Sequence, residues 1–304
     1  MSKMATREAY GAALAELIVE RDDVIVLDAD LTKSTKTCDA AKARPEHHFN
    51  MGIAEGNMMG VAAGLAASGK TVYASSFAMF AAGRAYEQIR NSIGYPHLNV
   101  KICATHAGLS VGEDGASHQM IEDLALMRAI PGMVVLQPCD EIQTKEVIKA
   151  VAKYDGPCYV RLGRSAVEAV YQGTSSFQIG KGNVVKRGKQ IAVIASGAMV
   201  QEAIQACQEF EVTLIDMPSI KPIDQSLLIE TAKTHELIIT CEEHTVMGGL
   251  GSAVAEVLIQ HAPCRQIMIG VQDTFGESGK PADLFAKYQI DADHIKRVII
   301  EHKA

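Results

Sequence analysis

Short apolar runs recur along this chain, each separated from the next by enough residues for one helix, and few folds accommodate that rhythm. VIVLDAD (24–30), TVYASS (71–76), LNVKICAT (98–105), VVL (134–136) and CYVRL (158–162) read as strands. Residues 6–20, the small-residue segment after Glu55 and residues 141–152 read as helices. Strands this apolar are buried on both faces, which a parallel sheet covered by helices provides. A second series starts at QIAVIASGAM and continues through VTLIDM (212–217), LIITCEE (237–243) and QIMIGV (266–271). A helix at 249–260 and a helical tail from about 291 complete it. The fold class is therefore α/β, in two units. A turn-rich polar stretch between the series divides the chain into a first domain (1–170), a connector (171–185) and a second domain (186–304).

Composition narrows the function. A net charge of -7 gives nucleic acid no general attraction, although local basic clusters can still hold small phosphorylated compounds. No apolar run reaches the 18 residues of a membrane span, and the first residues lack the long apolar region of a signal peptide. The seven cysteines are dispersed without a CxxC pair, which argues against a disulfide framework and against a cysteine zinc site. These features lead us to expect a cytoplasmic protein with reduced thiols.

Several constellations can carry chemistry. In GIAEGNMMG, Glu55 enters an apolar, small-residue helix. A carboxyl buried there can share a proton with a heterocyclic nitrogen. A solvated glutamate at a helix start, favoured by the helix dipole, fits the same letters. In SSFAMFAAGRAYEQIR, Phe77 and Phe80 lie three apart and are expected on one helix face. Together they can wall a planar ring or simply pack the core. THAGLSVGEDGASHQ places His106, Asp114 and His118 in a glycine-rich segment after a strand, suited to positioning hydroxyls and moving protons. A surface turn is the plain alternative; the spacing also allows a zinc site, although Glu113, Asp114 and His118 fit polar substrate binding as well. In YVRLGRS, the forks of Arg161 and Arg164 suit phosphate, or an ion pair. Arg7 and Ser34 are candidates to join them. Glu242, Glu243 and His244 precede Gly248, Gly249 and Gly251, where glycine would let a loop approach another surface closely.

In their order along the chain, DADLTKST, GIAEGNMMG, SSFAMFAAGRAYEQIR, THAGLSVGEDGASHQ, IPGMVVLQPCD and EEHTVMGGLGSA resemble the carboxy-terminal half of transketolases, and especially the small subunit of split transketolases. The resemblance implies a pyrimidine-binding domain followed by a transketolase C-terminal domain. It implies thiamine diphosphate, with Mg2+ or Ca2+, and transfer of a two-carbon ketol unit between sugar phosphates through a thiamine-diphosphate ylide, as in the pentose phosphate pathway. By the same resemblance Glu55 faces N1' of the cofactor's aminopyrimidine, and Phe77 and Phe80 line its pocket. His118 stands near the reacting two-carbon unit, and Asp114 recognises the donor hydroxyl. Arg7, Ser34, His106 and Arg164 contact substrate phosphate. Two departures stand out: a third family aromatic falls at Gly83, with Tyr86 the nearest replacement, and the family's HDS is His106-Ala107-Gly108 here.

No GDG with the Asn-containing magnesium motif is found in the sequence. The resemblance therefore implies a partner, the N-terminal diphosphate-binding subunit, in an α2β2 heterotetramer, with metal ligands on that partner. Competing readings are a ketol transferase for sulfonated or branched sugars, a 1-deoxyxylulose-5-phosphate synthase-like enzyme, the β subunit of a 2-oxo acid dehydrogenase, and a catalytically inactive assembly subunit.

Overall fold

The computed structural model describes residues 3–303. Its strands are β1 (Lys3–Ala5), β2 (Val24–Asp28), β3 (His48–Asn50), β4 (Thr71–Phe77), β5 (Val100–Thr105), β6 (Val134–Leu136), β7 (Cys158–Arg161), β8 (Ala166–Glu168), β9 (Asn183–Lys186), β10 (Gln190–Ala195), β11 (Thr213–Asp216), β12 (Ser219–Lys221), β13 (His235–Thr245) and β14 (Arg265–Val271).

Two sheets hold most of them. The first has seven strands in the order β12-β6-β7-β5-β4-β2-β3, parallel except for β12. Strands β2, β4, β5, β6 and β7 are buried along their whole lengths, as their unbroken apolar runs require. The second sheet has five strands in the order β14-β13-β10-β11-β9, parallel except for β9. The mixed α/β class expected from the sequence is the one observed.

Helices cover the first sheet because their apolar residues fall on one side. In Thr6–Glu20, Ala9, Tyr10, Ala13, Leu14, Leu17 and Ile18 are buried, a spacing of three and four that puts them on one face. Tyr10, Ala13, Leu14, Leu17 and Ile18 pack in one cluster with Val147, Ile148 and Val151 of the helix Glu141–Lys153. Asp140 starts that second helix by accepting from the Gln143 N–H at 2.8 Å.

Two details depart from expectation. β9 begins at Asn183, inside the span read as connector, because Val184 finds a ladder partner in Ile215. β12, from the second half of the chain, crosses back to pair with β6, Ser219 opposite Leu136 and Lys221 opposite Val135. Ser219-Ile220-Lys221 holds a single apolar residue between polar ones, so it carries no apolar run of the kind that made the equally short β6 readable.

Candidate active site

The candidate residues gather at the C-terminal ends of β2, β4, β5 and β7, the edge where parallel α/β sheets bind ligands. Helical periodicity buries Glu55. It opens the helix Glu55–Ala67, and Met58, Met59, Ala62, Ala63 and Ala66 continue its face at spacings of three and four. Glu55 is 4% exposed, so it is not the solvated helix-start glutamate that its letters also allowed. Arg84 reaches it, with Nη1 donating to the two carboxylate oxygens at 3.2 and 3.4 Å.

Phe77 and Phe80 are neighbours, but not on one helix face. Phe77 is the last residue of β4, and Phe80 lies in the following segment Met79–Arg84, whose turns are π-helical. Such widened turns are rare and recur at functional sites. The strand exit and the wide turn still stack the rings, with centroids 5.9 Å apart. The Arg84 guanidinium lies over Phe80, 4.3 Å from its centroid. Gly83 is exposed. The Tyr86 hydroxyl donates to the Leu126 carbonyl at 3.4 Å.

His118 stands edge-on to both phenylalanines, 6.2 Å from Phe77 and 5.3 Å from Phe80 between centroids. Its Nδ1 is 2.9 Å from Ser117 Oγ. His106 also stacks on Phe77, with centroids 3.7 Å apart. Arg7 Nη1 lies 3.3 Å from His106 Nε2 and donates to the Ser34 carbonyl at 2.8 Å. Since a guanidinium only donates, Nε2 must accept, which puts the proton on Nδ1, 2.9 Å from Thr105 Oγ1. Burial, reinforced by the positive Arg7 and Arg164, drives the His106 pKa down to about 3. It is a neutral ring among cations.

Local folding explains why Arg7 and Arg164 meet. β1 pairs with β8, zipping the start of the chain to the exit of β7. Between those strands, Gly163 N–H donates to Thr6 Oγ1 at 2.8 Å and Arg7 N–H to the Gly163 carbonyl at 3.4 Å. Arg164 also donates to the Val111 carbonyl and pairs with Glu113 at 3.4 Å. Arg7 Nε is buried without a hydrogen-bond partner among the described residues. Two guanidinium groups and an unpaired donor are groups of the kind that can receive an anion.

Asp114 is exposed, at the end of the segment Leu109–Asp114. Among the described residues the structure joins it to none of the ring-stacked group. Arg161, by contrast, is no anion ligand. It is 2% exposed, its Nε donates to the Asp123 carboxylate at 2.9 and 3.0 Å, and its Nη2 donates to the Met120 and Glu243 carbonyls, each at 3.0 Å.

The EEH segment ends β13 and binds the two halves together. Glu242 accepts from Leu250 N–H at 2.7 Å and Gly251 N–H at 2.8 Å at the start of the helix Leu250–His261. Burial raises its pKa to about 7. Glu243 reaches across to accept from Ser110 N–H. That approach needs Gly108, whose φ is 82° and where a Cβ would collide with the Glu243 carboxylate. Ser278 Oγ donates to the Glu113 carbonyl at 2.6 Å, and Gln119 Nε2 to the Glu277 carbonyl at 2.9 Å, so the second half also braces the segment carrying Asp114. Sequence reasoning assigned no role to Arg84, Thr105, Gln119 or Asp123; the one available signal was that Arg84 follows the two aromatics.

Among the described residues, no cluster of three His, Cys, Asp or Glu side chains is placed to hold a metal ion, and no helix is long and apolar enough to cross a membrane.

The family profile "Transketolase, pyrimidine binding domain" matches residues 2–169, and "Transketolase, C-terminal domain" matches residues 180–295. The chain belongs to the transketolase family. A Methanocaldococcus jannaschii protein named as a transketolase C-terminal section is 48% identical over 97% of this chain and 95% of its own length. The 6-deoxy-6-sulfo-D-fructose transketolase subunit of Clostridium sp. (strain MSTE9) is 34% identical, covering 97% of this chain and 93% of that protein. A solved structure described as a split gene transketolase, inactive beta4 tetramer, superposes with a TM-score of 0.91 at 52% identity, over 98% of each chain. The present chain thus corresponds to one subunit of a two-subunit transketolase, its C-terminal one.

Proposed function

We propose that this subunit, joined to an N-terminal diphosphate-binding partner, transfers a two-carbon ketol unit from a ketose phosphate to an aldose phosphate. The observation that carries this reading is one unbroken row of contacts. It runs from the Glu55 carboxylate through Arg84, Phe80, Phe77 and His106 to Arg7, with His118 beside the two phenyl rings. A buried acid and aromatic wall stand at one end, and an anion site at the other.

The acid end fits thiamine diphosphate. A planar, nitrogen-bearing group is already held there: the Arg84 guanidinium donates to Glu55 while lying over Phe80. An aminopyrimidine ring makes the same two demands. When bound, thiamine diphosphate supplies a nucleophilic carbon and an electron sink for the two-carbon unit. In this reading Glu55 shares a proton with the ring nitrogen N1', and Phe77 and Phe80 fix the plane of the ring. His118 exchanges a proton with an oxygen of the unit being moved. Asp114 takes the donor hydroxyl. Arg7, Arg164, His106 and Ser34 hold the phosphate, the neutral His106 donating or accepting without adding charge.

The diphosphate and its Mg2+ or Ca2+ belong to the partner, and α2β2 is the assembly we infer, in the cytoplasm. The relative solved as an inactive tetramer of one subunit supports a need for that partner. We further divide the chain into a pyrimidine-binding domain, 1–170, and a C-terminal domain, 186–304.

The test is direct. The partner is captured with tagged chain, thiamine diphosphate and magnesium are added, and xylulose 5-phosphate is supplied with ribose 5-phosphate. Three- and seven-carbon sugar phosphates are expected. A second reading comes from the Clostridium relative, named for a sulfonated sugar: paired guanidinium groups accept sulfonate as well as phosphate. Product from 6-deoxy-6-sulfofructose and none from xylulose 5-phosphate would favour it. No product from either, in a cofactor-loaded complex, would overturn ketol transfer between these sugars.

A further inference from the structure

Arg84 is an anomaly in the site. Its side chain is 54% exposed, yet its tip enters a buried acid's surroundings and takes both the Glu55 carboxylate and the face of Phe80. It sits in the π-helical segment Met79–Arg84, where the wide turn carries it past the exposed Gly83. Guanidinium is planar, donates in its plane and stacks on aromatic faces. It therefore reproduces, at one point, both contacts that a flat nitrogen heterocycle would make.

Resting on the reading of Glu55 and Phe80 as cofactor contacts, we propose that Arg84 is a placeholder for the aminopyrimidine of thiamine diphosphate, and that side chain and ring compete for the same two partners. Only the fraction of molecules with Arg84 swung out can admit the ring. The apparent affinity is reduced by that fraction, and the cost falls on the association step. The exposed stem of Arg84 leaves it free to swing into solvent without disturbing the core. The placeholder keeps a buried carboxylate paired until the ring arrives; a buried charge left alone is costly.

The experiment follows thiamine diphosphate binding, with magnesium present, to the complex of this chain and its N-terminal partner. Titration calorimetry gives Kd, and stopped-flow gives the rates. Arg84→Ala and Arg84→Gln are expected to tighten Kd by about 3- to 10-fold, a range typical of losing one ion-pair and one cation–π contact. The gain should appear in the association rate, with little change in dissociation. Arg84→Lys, which keeps the charge but not the plane, should fall between. In a Glu55→Gln background the gain from Arg84→Ala should shrink, since one of the contested contacts is already weakened.

Weaker binding with faster dissociation in Arg84→Ala would make Arg84 a cofactor ligand and overturn the placeholder. Unchanged binding in both neutral variants would overturn it equally. Either result, with Glu55→Gln still defective in binding and turnover, leaves the role of Glu55 intact. Wild-type binding and turnover in Glu55→Gln would instead remove the site reading on which the placeholder rests.

Discussion

Phe77 and His106 lie nearly face to face, their centroids 3.7 Å apart and their planes 26° from parallel. This contact joins the two ends of the site. Phe77 leaves the core at the end of β4, and His106 follows the end of β5, the next strand in the sheet. Adjacent parallel strands thus set the aromatic pair directly beside the proposed anion site, with no loop to span the gap.

Because Glu55 is the only acid in that row, Glu55→Gln should lower ketol transfer by about 100-fold or more, the usual scale of a lost proton-transfer group. Assembly with the partner should persist. Turnover and size-exclusion chromatography on the same preparation check this. Near-normal turnover would refute the proposed role.

Arg7→Ala and Arg164→Ala should each raise KM for a phosphorylated donor by about 10- to 100-fold, as expected for one charged hydrogen bond. The effect on kcat should be much smaller, because the contact exists before and during reaction. Steady-state kinetics with phosphorylated and unphosphorylated ketoses decide it. Equal losses on both substrates would mean that the arginines do not read phosphate.

His106 is held neutral, its pKa down at about 3 from an ordinary 6.5, first by burial and then by Arg7, Arg164 and His118. The unfolded ring takes up its proton as pH falls below 6.5, whereas the folded ring resists until about 3. Its contribution to stability is therefore present above 6.5 and lost as pH falls through that window. An anion between the arginines should raise the folded value. Histidine NMR titration with and without inorganic phosphate measures both. No upward shift with phosphate would argue against an anion bound beside the ring.

Glu242 carries the opposite sign. Burial raises its carboxyl from 4.5 to about 7, against the pull of two backbone N–H groups. Between those values the folded state keeps a proton that the unfolded chain has released, so its contribution is full below 4.5 and is lost as pH rises through 7. Glu242→Gln removes that dependence. Urea unfolding at several pH values should show the variant gaining on wild type as pH rises, by up to about 1.4 kcal/mol per pH unit. A difference that stays flat across the range would contradict it.

Breaking the Arg161–Asp123 pair should be expensive. Asp123→Ala leaves a guanidinium only 2% exposed without its carboxylate, and a loss of about 3–5 kcal/mol is expected in denaturant unfolding. Replacing both residues with apolar side chains of similar volume should recover much of it. If the double variant is no better than the single, the penalty does not come from the unpaired charge.

Strand positions were readable because burial on both faces writes continuous apolar runs. Glu55 was readable as a candidate, and its burial followed from the face it shares with Met58, Met59 and Ala62. Arg161 and Arg164 could not be told apart by letters alone. They stand three positions apart, and in that distance the chain passes from the buried end of β7 to its solvent edge. The Phe77–Phe80 spacing pointed to a helix face, but a strand end followed by π-turns brings the rings together by another route. Arg84 and Glu243 were opaque for a different reason: their partners are 29 and 133 residues away, and no local pattern encodes such pairings.

β12 has a consequence for how far this protein can be taken apart. The first sheet is finished by a strand that the chain makes only after it has begun the second. A fragment ending in the polar stretch after residue 170 would leave β6 with unpaired N–H and C=O groups along a bare edge, open to pairing with other chains. The two halves are distinct in sequence profile but not separable as pieces. Shuffling this subunit's domains, in the laboratory or by gene rearrangement, would have to carry Ser219–Lys221 along with the first.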